Sequence, residues 1–266
     1  MTLPGSPRCV ITGAAGGFGR ALALELARRQ AHLVLSDVDV KGVAETAALA
    51  MAAGATSARA TRCDVTKIDD WNALAASCDG PVDLVINNAG VSSAGAVGEL
   101  PVEDWRWTLE VDLFGVINGC HVFVPILRKQ GHGHVLNVAS SAGLLSAPYM
   151  GAYNVAKAGV IALSETLTAE LSGTKIGVTV ICPTFFKTNI VSSGRIADEK
   201  LKAKAQSFVA SGKSAESVAR AAIAAVDRRQ FYSVPMAEGR WLWRVKRMAP
   251  GAFTALVGRV GKRAMK

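Results

Sequence analysis

The chain has 266 residues, half of them hydrophobic, and a formal net charge of +9. That length can bury one large α/β core, so a single domain over residues 1–266 is expected, with its core from 8 to 235. Charges interrupt every apolar run and the amino terminus lacks a signal-peptide core, which excludes a membrane-spanning stretch and predicts a cytoplasmic protein.

Residues 8–12 form a short β-prone run that leads into Thr12-Gly13-Ala-Ala-Gly16-Gly17-Phe18-Gly19 and then a helical pattern to Arg29. Strand, glycine turn and helix in that order suit a pyrophosphate. Gly13, Gly17 and Gly19 let the backbone approach it, and the free N–H groups of the helix face the anion. By itself the G-x-x-x-G-x-G spacing also fits a turn without a ligand. Residues 32–36 read as a second strand ending at Asp37. A carboxylate there can hold ribose hydroxyls and repel a 2′-phosphate, favouring NAD over NADP, and it can also cap a helix starting at Val40. A helix over 40–53, a strand over 58–62, a helix over 69–77 and a buried strand over 82–86 follow. Asn87-Asn88-Ala89-Gly90 closes the last of these.

Residues 101–128 predict a long helix with Trp105, Trp107, Leu109, Leu113 and Val116 on its apolar side. His132 and His134, spaced by glycine, are too few for a zinc site, and no metal is expected. A strand over 135–139 delivers Ser140. On the next helix, to about residue 171, Tyr153 and Lys157 lie one turn apart on one face. An ammonium beside a phenol favours the phenolate, so Tyr153 is a candidate general acid/base acting near neutrality; an ordinary amphipathic helix is the plain alternative. Apolar residues on more than one face of this helix predict a partner subunit, in a homodimer or homotetramer. A strand over 176–182 leads to Pro183-Thr184-Phe185-Phe186-Lys187-Thr188. Residues 190–214 read as a flap over the substrate. A helix over 215–227 and a strand over 231–234 complete a parallel βαβ series.

In that order the glycine turn, Asn87-Asn88-Ala89-Gly90, Ser140 and Tyr153-x-x-x-Lys157 resemble the short-chain dehydrogenase/reductase family over about residues 8–235. The resemblance implies an α/β fold, a Rossmann-like doubly wound parallel sheet of about seven strands with helices on both faces. It implies cofactor contacts from Gly13, Gly17, Phe18 and Gly19, and from Asp37 at the ribose. Asp64 and Val65 would border the adenine, with Asn88, Ala89 and Gly90 along the cofactor. Pro183 and the Phe186 backbone would lie near the nicotinamide, and Thr188 near the phosphates. Ser140 would hold the substrate oxygen and Tyr153 would move its proton. Lys157 would lower the Tyr153 pKa and bind the nicotinamide ribose, and Tyr153 would also border the cofactor. Two positions depart from the family pattern. Asp112 stands where the family has Asn; it can accept the same hydrogen bond, cannot donate one, and if ionised would partly cancel the field of Lys157. Thr184 stands where the family often has Gly.

The leading function is thus an NAD-dependent alcohol dehydrogenase or carbonyl reductase. Leu144, Leu145, Met150, Phe185 and Phe186 suggest a secondary alcohol or ketone on a bulky hydrophobic or aromatic skeleton, unless they are core. A second class, a cofactor-binding sensor or partner protein without turnover, rests on Asp112 alone.

From Arg240 to Lys266 there are eight bases and no acid, so the body carries only +1 and gives no support to nucleic-acid binding. Residues 238–266 predict two short amphipathic helices broken at Pro250-Gly251. The favoured role is to cover the substrate pocket or a neighbouring subunit; weak, salt-sensitive contact with an anionic membrane is the alternative. Five scattered cysteines without C-x-x-C predict buried thiols and no disulfide.

Overall fold

The computed structural model describes residues 3–196 and 198–264. Among these, the strands are β1 (Arg8–Thr12), β2 (His32–Asp37), β3 (Ser57–Arg62), β4 (Leu84–Asn87), β5 (Ser93–Ala94), β6 (Gly133–Val138), β7 (Ile176–Ile181), β8 (Arg195–Ile196) and β9 (Tyr232–Ser233). Helices α1 (Gly17–Ala27), α2 (Val40–Ala52) and α3 (Ile68–Ala76) alternate with the first four strands. Then α4 (Val102–Leu109) and α5 (Gly115–Gln130) are joined by a π-helical turn, Glu110–Phe114. Beyond β6 come α6 (Ser141–Leu145), α7 (Gly151–Glu170), α8 (Glu199–Ser211) and α9 (Ala215–Asp227), and the tail forms α10 (Ala237–Met248) and α11 (Pro250–Ala264).

Seven strands make one sheet in the order β3-β2-β1-β4-β6-β7-β9, every pair parallel. This is a doubly wound, Rossmann-like sheet: the chain builds outward from β1 to β3, then crosses back to β4 and builds the other way. The reversal leaves a crevice beyond the carboxyl ends of β1 and β4, where Gly13 and Asn88 meet. Residue alternation divides the core. Cys9 and Ile11 of β1 face one layer with Leu22, Leu26 and Ile223, while Val10 faces the other with Trp71, Phe123 and Val160. The polar sequence of β3 suits its place at the sheet edge.

The continuous helix Val102–Gln130 is long and apolar enough to cross a bilayer by composition. It lies instead along the sheet, with Val116, Cys120, Phe123 and Leu127 in the core and Asp112 fully buried near its middle. Besides the π-helical turn within the expected 101–128 helix, two elements depart from expectation. The 190–214 flap contributes β8, which pairs with β5 in a separate two-stranded parallel sheet, and a short helix, α6, follows Ser140 directly.

Candidate active site

The crevice is closed by backbone. Thr12 Oγ1 accepts hydrogen bonds from the N–H groups of Asn88 and Ala89, both at 3.1 Å, and Asn88 Nδ2 donates to the carbonyls of Thr12 at 2.8 Å and Gly13 at 3.1 Å. Gly13 takes φ +66°, and a Cβ there would lie 2.7 Å from Ala89 Cα, so only glycine fits. A Cβ on Gly19 would overlap the Gly13 carbonyl. The Gly16 N-cap gives α1 no side-chain cap, and no acid occupies its first turn. Its N–H groups are therefore available to an anion, and the turn can hold a pyrophosphate.

Of the other predicted cofactor residues, Asp37, Phe186 and Thr188 lie against this turn. Asp37 Oδ2 accepts from Ala15 N at 2.9 Å and Oδ1 from Asp39 N at 3.1 Å, so the carboxylate is fixed at the end of β2. The cap of α2 is Asp39, which accepts from Gly42 N, and not Asp37. Asp37 sits two residues too early, with Oδ2 turned back on the glycine turn. Phe18 and Phe186 pack edge to face at 5.1 Å. The side chain of Thr188 lies about van der Waals distance from where a Gly17 Cβ would stand, at 3.9 Å. Asp64 Oδ1 accepts from Thr66 N and Oγ1, and buried Val65 offers its carbonyl to Trp71 Nε1 and Asn118 Nδ2 at 3.0 Å. Pro183 accepts from Ser141 N at 2.9 Å, linking β7 to the residue beside Ser140.

At the carboxyl end of β6, Ser140 caps α6: its Oγ accepts from Ala142 N at 3.1 Å. The hydroxyl is less free than the sequence implies, but this bond uses a lone pair and leaves the O–H proton to be donated. Lys157 is 2% exposed and lies under Tyr153, with Nζ 5.6 Å from the ring centroid. Nζ donates to the Val138 carbonyl at 3.1 Å and pairs with Asp112 Oδ2 at 3.1 Å. Asp112 Oδ1 accepts from Val91 N at 2.7 Å. The π-helical turn carries Asp112, and an extra residue per turn there rotates it inward toward Lys157. Gly90 backs the pair: a Cβ on it would lie 3.4 Å from Nζ.

Electrostatics in this buried cluster are mixed. Burial raises the Asp112 pKa despite Lys157 and the Val91 N–H. Burial works against the Lys157 ammonium, but Asp112 and then Tyr153 outweigh it and hold the group charged. For Tyr153, burial raises the pKa, Lys157 lowers it, Asp112 raises it and the Ser140 hydroxyl lowers it, with a net rise. Burial and Asp112 thus oppose the pull of Lys157 on the phenol, and the net direction is upward.

The apolar pocket residues divide. Leu144 is buried in one core layer and Phe186 packs against the other, whereas Phe185 is 44% exposed and stacks at 5.3 Å on Phe208 of α8. Sequence reasoning missed Phe208, because the partner of Phe185 depends on how the flap docks. That docking rests on the β5–β8 pairs and on Arg195, which lies 2.9 Å from Asp104 and 4.0 Å from the centre of the Trp107 ring. It also missed the Val91 N–H and Val138 carbonyl, which are backbone groups without a side-chain signal. Thr184 Oγ1 bonds Glu238 of α10 at 2.9 Å, so the departure from the usual glycine anchors the tail. The tail lies on the loop after α6: Lys246 Nζ donates to the Leu144 carbonyl at 2.8 Å, and a Cβ on Gly261 would lie 2.9 Å from Pro148. The two spaced histidines point apart, His134 to Thr179 Oγ1 at 2.8 Å and His132 to Asp83 at 3.8 Å.

Comparison with known proteins gives consistent matches. The family model described as short chain dehydrogenase matches residues 8–199. SadH of Mycobacterium tuberculosis is 39% identical over 197 residues, covering 71% of this chain and 70% of the relative. A D-beta-hydroxybutyrate dehydrogenase of Rhizobium meliloti is 33% identical over 187 residues, covering 68% and 72%. A short-chain dehydrogenase/reductase from Burkholderia phymatum, solved in complex with NAD, is 36% identical, covers 92% of this chain and 94% of its own, and superposes with a TM-score of 0.85.

Proposed function

The chain belongs to the short-chain dehydrogenase/reductase family of oxidoreductases, and from that premise we propose that it interconverts a secondary alcohol and a ketone with NAD. One observation carries the reading: Tyr153 and Lys157 lie buried on one face of α7, with Ser140 in hydrogen-bond reach of the phenol and Lys157 Nζ against Gly90. When bound, the nicotinamide supplies hydride exchange at the substrate carbon, so the protein has to position the substrate and move one proton.

Gly13, Gly17 and Gly19 with the open α1 N-terminus would hold the pyrophosphate, and Asp37 the adenosine ribose. A carboxylate at that point repels a 2′-phosphate, which with the NAD in the Burkholderia relative supports NAD over NADP. Ser140 donates its O–H to the substrate oxygen. Tyr153 then gives a proton to that oxygen in reduction and takes one in oxidation. Lys157 steadies the phenolate by its charge, and Asp112 keeps Lys157 protonated. Asp112 is the one residue that pointed to a protein without turnover. Its ion pair with Lys157 and its bond from Val91 N support a place in the relay instead.

The exposed Phe185–Phe208 stack supports a hydrophobic or aromatic substrate skeleton. Exposed Val155 on α7 and Phe114 at the π-helical turn support assembly as a homodimer or homotetramer. The test is loss of NADH fluorescence over a panel of steroid, aryl and aliphatic ketones, run in parallel with NADPH. Turnover of a bulky ketone with NADH is expected. Cofactor binding without turnover of any carbonyl, or of any alcohol in reverse, contradicts the proposal.

A further inference from the structure

The outer surface of the tail has no role in the chemistry above. The inner faces of α10 and α11 are accounted for: Trp243 packs on Tyr232 at 4.8 Å, Phe253 is buried, and Lys246 bonds the Leu144 carbonyl. On the outer side stand Trp241 at 63% exposure, Met248 at 86%, Leu256 at 57% and Val260 at 59%. Trp241, Arg244 and Met248 share one helical stripe, and Leu256, Arg259 and Val260 group likewise on α11. From Arg240 onward the chain has no acid, and among the described residues no base of the tail forms an ion pair. Elsewhere Arg20, Arg29, Arg62 and Arg195 are each matched to a carboxylate.

We propose that α10 and α11 form a docking surface for an anionic phospholipid bilayer. Exposed tryptophan and aliphatic side chains beside unpaired arginines match the two components of such a surface: apolar groups enter at headgroup depth while the cations meet lipid phosphates. A nucleic acid would engage the arginines but leave Met248, Leu256 and Val260 without a partner. A second copy packed tail to tail would set two uncompensated positive surfaces against each other. An anionic bilayer satisfies both sets of residues.

Full-length protein is sedimented with phosphatidylglycerol-containing vesicles and with phosphatidylcholine vesicles, at low and high salt. Two double variants, Trp241→Ser/Leu256→Ser and Arg244→Glu/Arg259→Glu, are run beside it. All four side chains are exposed, and unchanged thermal unfolding checks that both variants fold. Wild type should pellet with the anionic vesicles at low salt, be released by high salt, and ignore phosphatidylcholine. Each double variant should bind roughly tenfold more weakly or worse. Equal pelleting of the wild type and both variants, or equal binding to neutral vesicles, overturns the proposal. So does tight binding of duplex DNA that the serine variant leaves intact while vesicles do not bind. Self-association abolished by the same substitutions, again without vesicle binding, makes a second copy the occupant and overturns it as well.

Discussion

Asparagine at position 112 would remove one negative charge from the proposed relay while keeping an oxygen that can accept from Val91 N. The carboxylate lies 3.1 Å from Lys157 Nζ, which lies 5.6 Å from the Tyr153 ring centroid, so the carboxylate and the ring centre stand within about 9 Å. At an effective dielectric near 20, unit charges at that separation interact by about 2 kcal/mol. The sign follows from the chemistry. A carboxylate opposes a phenolate, so Asp112→Asn should make Tyr153 easier to ionise. Alcohol oxidation needs the phenolate, and on the acid side of its pH profile the variant should be roughly thirtyfold closer to its own plateau than wild type. Ketone reduction starts from the phenol, so its alkaline limb should move to lower pH as well. There is a cost, because Lys157 is buried and loses its counterion. Breaking such a pair destabilises by up to about 3 kcal/mol when other partners remain, as the Val138 carbonyl does here. The assay is kcat/KM against pH in both directions, with a thermal melt of each protein. Unchanged profiles in a folded variant would refute the reasoning and remove Asp112 from the relay.

Asp37→Ser should relax the preference for NAD, because it removes the charge that repels a 2′-phosphate; higher kcat/KM for NADP in the wild-type protein would contradict this role. Gly19→Ala should weaken NAD binding and cost about 1–3 kcal/mol of stability, since its methyl group would overlap the Gly13 carbonyl. Calorimetric titration and denaturant unfolding check both effects. Burial first, and then Arg229, push the His134 pKa down from 6.5 to about 3, so the unfolded chain takes a proton that the folded one refuses. Stability should therefore fall as pH drops from about 6.5 toward about 3, and His134→Gln should flatten that limb in urea titrations. An equally steep limb in the variant would assign acid unfolding to other groups.

Much of the sheet was legible because its strands are continuous apolar runs between helices of regular period, and the strand order follows from repeated βαβ crossovers. The Tyr153–Lys157 pair was legible from helical spacing taken with the ordered motifs before it. The π-helical turn was not, because Glu110-Val-Asp-Leu-Phe114 reads as ordinary helix until the pull of Lys157 and Val91 on Asp112 is known. Strands β5 and β8 have two residues each, too few to show alternation, and they exist only because the flap reaches Ser93 and Ala94. Helix α6 is five residues long, and its signal was hidden in Ser140 itself, whose capping oxygen looks the same in sequence as a substrate-binding one. Whether the apolar candidates line a pocket or the core is open in the sequence for a related reason. Hydrophobicity marks Leu144, Phe185 and Phe186 alike, and only the packing of Phe186 on Phe18 and of Phe185 on Phe208 tells core from mouth.

Tyr153→Phe reaches the central claim most directly, since it deletes only the phenolic oxygen and keeps the ring that packs above Lys157. Steady-state turnover in both directions should fall by about 10²–10⁴-fold, the range expected when a general acid/base is lost, while NAD affinity measured by titration stays close to that of wild type. Turnover within a few fold of wild type would show that the proton travels by another route.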